Sequence, residues 1–235
     1  MGWYQALYEG NGRGEAPGPR PRGLKLLAHI LRWHWWTLVK TNILFCLFCL
    51  PVVTIPPALY CLHKCCWQLI QNKPAGFFAA LRETLRGGLG RAWGAFALSL
   101  PLLAFAGYGC WFYLGAAGQN PLLLVPFAFC MAVFWVVLLA SGGFYALLCA
   151  GRPLGRDTLV RALALAFLHP GRALAGAACH YGLPALAILL LPFSGAYLVL
   201  IGFSIPCLLG CLFTQKNLER VLGQTPANAG KDGDA

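Results

Sequence analysis

The sequence predicts an all-α fold, a polytopic helical integral membrane protein with about five to six transmembrane segments and short interfacial helices. The composition is 59% hydrophobic and 11% charged, whereas a soluble domain has roughly 25% charged residues. All 25 charged residues fall in four blocks: residues 1–40, 64–91, 152–172 and 216–235. The three uncharged stretches between them leave room for one, two and two spans, since each span needs about 20 apolar residues.

The net charge of +11 does not indicate nucleic-acid binding. Lys and Arg flank the apolar stretches, where the positive-inside rule places them on the cytoplasmic side of a membrane. At that position the basic side chains also meet anionic lipid headgroups. The predicted partner is therefore a lipid bilayer with anionic headgroups, and the predicted location is a cytoplasmic membrane.

The eleven cysteines are scattered through apolar sequence. Cys46 and Cys49 form a C-x-x-C pair without a second pair or a histidine at zinc-site spacing. Cys207 and Cys211 lie one helical turn apart. Because a buried cysteine behaves as a small hydrophobic residue, we interpret these residues as packing groups and predict neither a metal nor another cofactor.

The first part of the chain is organised around a bend rich in proline. Residues 1–23 contain Gly, Pro and Arg and predict a flexible cytoplasmic arm. Residues 24–40 combine three tryptophans with basic residues, which is typical of an interfacial helix. An apolar helix then runs to Leu50, is broken by Pro51, Pro56 and Pro57, and resumes as a second helix from Ala58 to Gln71.

The charge distribution bears on how this bent segment crosses the membrane. Lys and Arg number six in residues 1–40 and five in residues 64–91, so the positive-inside rule places both blocks on the cytoplasmic side. The favoured interpretation is a hairpin that returns to the side from which it entered. The alternative is one ordinary crossing with an external N-terminus, which gives five plain crossings.

The rest of the chain predicts two helical hairpins, each preceded by a short amphipathic helix. The amphipathic helices are residues 77–90 and 157–169, the second capped by Asp157. The predicted spans are residues 92–115, 122–143, 173–191 and 196–213. Residues 24–214 thus form a single membrane domain, followed by a polar cytoplasmic tail over residues 215–235.

Residues 42–58, with the sequence NILFCLFCLPVVTIPPA, resemble the start of YesL-like bacterial membrane proteins, a family of unknown function. The matching residues are Asn42, Leu50, Pro51, Thr54, Ile55, Pro57 and Ala58. Pro56 stands where that family usually has glycine, which implies a stiffer bend. The resemblance covers residues 30–95 and implies a Firmicute-type cytoplasmic membrane and an association with carbohydrate uptake. It implies no catalytic residues.

Candidate binding residues are the polar groups inside apolar stretches, because intramembrane polar groups are often functional. They are Asn42, Thr54, His180 and Tyr181. No Asp or Glu interrupts an uncharged stretch, and no metalloprotease, Walker or nucleophile-elbow motif is present. We therefore expect a protein that is not an enzyme.

Three functions come into view, and the absence of acidic residues from the spans counts against the third, a membrane enzyme. The first is an accessory or assembly partner of carbohydrate uptake, which binds another membrane protein such as a sugar transporter. The alternative is a small-solute transporter or channel that uses the broken helix at Pro51–Pro57. The two functions differ in whether the polar residues of the spans face one cavity or scatter.

Overall fold

The computed structural model describes residues 23–118, 120–191 and 193–222. In this part of the chain 86% of the residues are helical and there is no strand, which confirms the all-α fold. Residues 1–22 of the predicted arm and residues 223–235 of the predicted tail lie outside the described residues.

The described residues contain ten α-helices, with two 3₁₀ turns and two π-helical turns between some of them. The α-helices are α1 Leu24–Cys49, α2 Ile55–Ile70, α3 Phe77–Glu83, α4 Leu89–Ala116, α5 Leu124–Cys149, α6 Arg156–Leu168, α7 Pro170–Ala177, α8 Leu183–Leu189, α9 Gly195–Leu200 and α10 Ser204–Leu222. The 3₁₀ turns are Val52–Thr54 and Pro121–Leu123, and the π-helical turns are Thr84–Gly88 and Ala178–Gly182.

A bend at Pro51 separates two helices, as predicted, but the second helix begins at Ile55 and not at Ala58, so Pro56 and Pro57 lie within it. Helix α1 ends at Cys49, and α2 begins at Ile55 with Pro56 and Pro57 in its first turn. Proline suits that position because the first N–H groups of a helix have no partner within the helix. Helices α1 and α2 pack against each other, and both contact α10.

Helix α2 lies at the centre of the protein. Its buried residues are Pro56, Pro57, Ala58, Tyr60, Cys61, Leu62, His63, Cys65, Cys66, Trp67, Leu69 and Ile70. Helices α1, α3, α4, α5 and α10 surround it. Only Ile55, Leu59, Lys64 and Gln68 on this helix are half-buried, and His63 enters the core on its buried side.

Helix α1 joins the predicted interfacial helix at residues 24–40 to the apolar helix that follows it. The helix continues through Lys40 and is kinked at His34, where φ is −116° and ψ is 20°. The basic residue does not end the helix because a single long side chain does not disturb the backbone hydrogen bonds.

The predicted amphipathic helix at residues 77–90 is joined to the span that follows it. Residues Phe77–Ala116 form one helical stretch of 40 residues, in which Thr84–Gly88 is a π-helical turn. The Thr84 hydroxyl donates to the carbonyl of Ala80 at 2.8 Å. Gly87 and Gly88 thus lie in a local widening of the helix and do not end it.

Three further boundaries differ from the sequence prediction. Helix α6 is preceded by Gly155, so Asp157 lies inside its first turn and does not cap it. The carboxylate of Asp157 instead accepts from Arg161 Nε one turn later, at 2.9 Å. The predicted span at residues 196–213 is broken between Leu200 and Ser204. Helix α10 then continues to Leu222, beyond the predicted start of the tail at Gln215.

The exterior is apolar along α4 and α5. Three helical stretches are long and apolar enough to cross a membrane: Phe77–Ala116, Pro121–Cys149 and Pro170–Leu189. Their most apolar 18-residue windows are only 17%, 0% and 17% buried. Large side chains such as Phe105, Trp111 and Phe129 are exposed there. This surface is compatible with a membrane protein.

Candidate functional site

A cluster of histidine and cysteine side chains lies in the core between α2 and α10. His63 and Cys66 are three residues apart on α2, and Cys207 and Cys211 are four residues apart on α10. Each spacing places both side chains on one face of its helix, and all four residues are buried. The two faces meet because α2 and α10 pack against each other.

Three of these side chains point their donor atoms at one another. The ligand atoms of His63, Cys207 and Cys211 all lie within 4.8 Å of each other. The distance from His63 Nδ1 to Cys211 Sγ is 3.9 Å. Cys66 is slightly displaced, and its thiol donates to the main-chain carbonyl of Ser204 at 3.7 Å.

His180 reaches the same cluster from the π-helical turn between α7 and α8. Its ring centroid lies 4.7 Å from that of His63. Gly210 makes this approach possible, because a Cβ at that position would lie 3.1 Å from the Cβ of His180. Such π-helical turns occur frequently at functional sites, and this one turns His180 towards α10.

Two imidazole nitrogens of the cluster are unusual. Nε2 of His63 and Nδ1 of His180 are buried and have no hydrogen-bond partner among the described residues. Buried polar atoms are nearly always hydrogen-bonded, since an unpaired one carries a free-energy penalty. These two atoms mark the cluster as a place where a ligand could bind.

Aromatic side chains fix the orientation of His63. The ring of Tyr145 stacks on that of His63 with a centroid distance of 4.1 Å and an interplanar angle of 5°. The Tyr145 hydroxyl is in turn hydrogen-bonded to the Ser99 hydroxyl at 3.1 Å. Helices α4 and α5 therefore hold the imidazole ring that α2 supplies.

A small cavity adjoins the cluster. Its volume is about 20 Å³, and His63, Ser141, His180, Tyr181 and Cys211 contribute to its lining. This is room for about one water molecule. None of the lining residues is Asp or Glu, so the cavity offers imidazoles, thiols and hydroxyls but no carboxylate for acid–base chemistry.

Of the predicted binding residues, only His180 and Tyr181 line this cavity. Asn42 lies instead at the break between α9 and α10. Its Nδ2 donates to the carbonyls of Leu198 and Val199, both at 2.8 Å, and its Oδ1 accepts from the backbone N–H groups of Phe203 and Ser204, both at 2.9 Å. The amide of Asn42 thus satisfies four main-chain groups that the break releases.

Thr54 lies at the other break, in the bend between α1 and α2. Its hydroxyl is within hydrogen-bonding distance of the carbonyls of Phe48 and Pro51. These carbonyls lie where the prolines and the end of α1 interrupt the helical hydrogen bonds. The role of Thr54 as a ligand-binding residue stays a prediction.

Comparison with protein-family models, with curated proteins and with solved structures finds no match to this chain. The resemblance to YesL-like proteins therefore stays a prediction.

The contact of His63 with Cys207 and Cys211 was not predicted from the sequence. The signal was present in two short patterns, H-x-x-C at residues 63–66 and C-x-x-x-C at residues 207–211. Each pattern alone is weak. Only the packing of α2 on α10 brings together residues that are 148 positions apart in the chain.

Proposed function

We propose that this chain is a multi-pass integral protein of the bacterial cytoplasmic membrane that acts as a non-enzymatic accessory or assembly partner of another membrane protein. The observation that carries the membrane assignment is the exposure of the apolar helices. The most apolar window of Pro121–Cys149 is 0% buried. Soluble monomers rarely expose such large continuous apolar patches, whereas lipid is a favourable environment for them.

The proposed topology has five to six membrane segments. Helices α4 and α5, the stretch Pro170–Leu189 and the broken pair α9–α10 would cross, and the α1–α2 hairpin would enter and return. A broken helix is tolerated in a membrane where protein groups satisfy its freed backbone, as Asn42 does. The basic blocks would then face the cytoplasm and the anionic headgroups.

The hydrogen bonds of the polar residues and the small volume of the cavity beside the cluster favour an accessory role over transport. A solute pathway needs polar groups that face a common space, but Asn42 and Ser99 form hydrogen bonds within the protein. The adjoining cavity has a volume of only about 20 Å³. Groups that already bond to one another are not free to replace the hydration shell of a solute.

The resemblance to YesL-like proteins adds a more specific expectation for the partner. It implies association with carbohydrate uptake, so the partner would be a membrane protein such as a sugar transporter. Contact would involve the exposed apolar helices, because helix association in membranes depends on close side-chain packing.

The alternative function is a small-solute transporter or channel that uses the bend at Pro51–Pro57. The presence of two helix breaks, at residues 50–54 and 201–203, favours it, since broken helices line binding sites in many transporters. In that mechanism Thr54 would exchange its carbonyl partners for the solute.

Reconstitution of the purified protein into liposomes separates the two functions. We expect no accumulation of labelled sugars by the protein alone, and we expect deletion of the gene to reduce sugar uptake in cells that retain the sugar transporter. Uptake by the liposomes that is abolished by Thr54→Val but retained by the loop variant Asn120→Ala would establish the alternative.

A further inference from the structure

We propose that His63, His180, Cys207 and Cys211 form a binding site for a thiophilic divalent cation, with Zn²⁺ as the best match. This inference goes beyond the proposed function and does not depend on it. It rests on the convergence of ligand atoms, on the unpartnered imidazole nitrogens and on the charge balance of the site.

The ligand types suit zinc. Protein zinc sites are usually tetrahedral, with histidine nitrogen and cysteine sulfur as ligands. Helix α10 supplies the two thiols, α2 supplies one imidazole and the turn at residues 178–182 supplies the other. Soft thiolate ligands also disfavour Mg²⁺ and Ca²⁺, which prefer oxygen.

The distances require only a small adjustment. With Zn–S bonds of about 2.3 Å and Zn–N bonds of about 2.0 Å, the ligand atoms of a tetrahedral site lie about 3.3–3.8 Å apart. His63 Nδ1 and Cys211 Sγ are already 3.9 Å apart. The three ligand atoms of His63, Cys207 and Cys211 all lie within 4.8 Å of one another, so a contraction of about 1 Å brings these three to tetrahedral spacing. His180, whose ring centroid lies 4.7 Å from that of His63, must move towards them to complete the site.

The unpartnered nitrogens are an independent indication of a ligand. His180 Nδ1 has no hydrogen-bond partner among the described residues, and neither has His63 Nε2. Coordination of His180 through Nδ1 would remove one of these two unsatisfied groups. Stacking of Tyr145 on His63 holds the ring in place, and residues that orient the ligands have the same effect in known metal sites.

Charge balance selects the fourth ligand and the cation. A divalent cation with two thiolates and two neutral imidazoles has no net charge, and a neutral site is the least costly one in a low-dielectric core. Cys66 as a third thiolate would leave a net negative charge. Its thiol already donates to the Ser204 carbonyl, which requires the proton, so His180 is the better fourth ligand.

Binding would release the two thiol protons of Cys207 and Cys211 to solvent. The cation would also connect α2, α10 and the π-helical turn. Because none of the cavity-lining residues is a carboxylate, we assign the cation a structural role in holding these elements together.

The test uses the full-length protein purified in detergent, stripped with a chelator, loaded with Zn²⁺ or Co²⁺ and desalted. We expect one Zn²⁺ retained per chain and a higher Tm than in the stripped protein, since a ligand that binds only the folded state stabilises it. With Co²⁺ we expect thiolate-to-metal charge-transfer bands and the visible bands of a tetrahedral site.

Two variants and a matched control give the assignment its specificity. Cys211→Ser and His180→Gln should each weaken Zn²⁺ binding by more than about 100-fold. Removal of a residue that only orients a ligand already weakens metal binding by about 10–100-fold, and these two residues are ligands themselves. Cys110→Ser, in the α4–α5 hairpin, should leave binding unchanged. Retained far-UV circular dichroism identifies folded variants, and His180→Gln keeps the test decisive if Cys211→Ser does not fold.

The proposal is overturned if the folded wild-type protein retains no Zn²⁺ after desalting. It is equally overturned if Cys211→Ser and His180→Gln bind as tightly as Cys110→Ser, or if the Co²⁺ spectrum contains no thiolate bands. Retention of Cu(I) without Zn²⁺ would also contradict it, because the charge argument requires a divalent cation.

Discussion

Asn42→Ala removes four hydrogen bonds at the break between α9 and α10. The carbonyls of Leu198 and Val199 lose their donor, and the N–H groups of Phe203 and Ser204 lose their acceptor. Hydrogen bonds contribute about 0.6 kcal/mol each on average in membrane proteins and about 1 kcal/mol in soluble ones. The four together predict a loss of about 2–4 kcal/mol in the free energy of unfolding.

This loss can be measured by equilibrium unfolding in mixed micelles, with the helical circular dichroism signal followed as SDS is added. Asn120→Ala is the matched control, because Asn120 accepts one hydrogen bond from Leu122 N in an exposed turn. We expect the control to lose at most about 1 kcal/mol. If Asn42→Ala destabilises the protein no more than Asn120→Ala, Asn42 does not hold the break and the reasoning fails.

Two other substitutions test packing and charge with the same unfolding measurement. Gly210→Leu should lower the free energy of unfolding by about 1–3 kcal/mol more than the control Gly182→Leu. A Cβ at Gly210 would lie 3.1 Å from the Cβ of His180, while Gly182 has open space around it. Equal stability of the two variants would contradict this packing. Glu83→Gln should lower the free energy of unfolding by up to about 1 kcal/mol, because Glu83 pairs with the Lys64 side chain, which is only 13% exposed. Asp157→Asn, in the more exposed pair with Arg161, should lower it by less than about 0.5 kcal/mol. A larger loss for Asp157→Asn would contradict this order.

The positions of the helices were largely predictable from local sequence. Pro51 marked the bend correctly, because proline lacks the N–H group that a continuing helix needs. Pro56 and Pro57 were wrongly predicted to break the helix, since proline fits the first turn of α2, where the N–H groups have no partner within the helix. The uncharged stretches at residues 92–151 and 173–215 marked the three helical stretches that are apolar and long enough to cross a membrane, whereas the stretch at residues 41–63 contains none. Gly87 and Gly88 were misleading, since glycine also fits a π-helical turn inside a continuous helix.

The features that depend on contacts between distant residues were not predictable. The break at residues 201–203 contains no proline, and it is stabilised by Asn42, about 160 positions earlier in the chain. Asn42 was identified as a polar residue of interest, but nothing in the local sequence indicated that its partners are main-chain groups. The cluster of His63, Cys207 and Cys211 was missed for the same reason.

The most direct test of the proposed membrane topology is the accessibility of introduced cysteines to a membrane-impermeant maleimide in oriented vesicles. Suitable positions are Lys25, Gln71 and Asn120, which are all exposed. The returning α1–α2 hairpin predicts that Lys25→Cys and Gln71→Cys react from the cytoplasmic side and that Asn120→Cys reacts from the outside. Reaction of Lys25→Cys and Gln71→Cys from opposite sides would contradict the hairpin and establish five plain crossings.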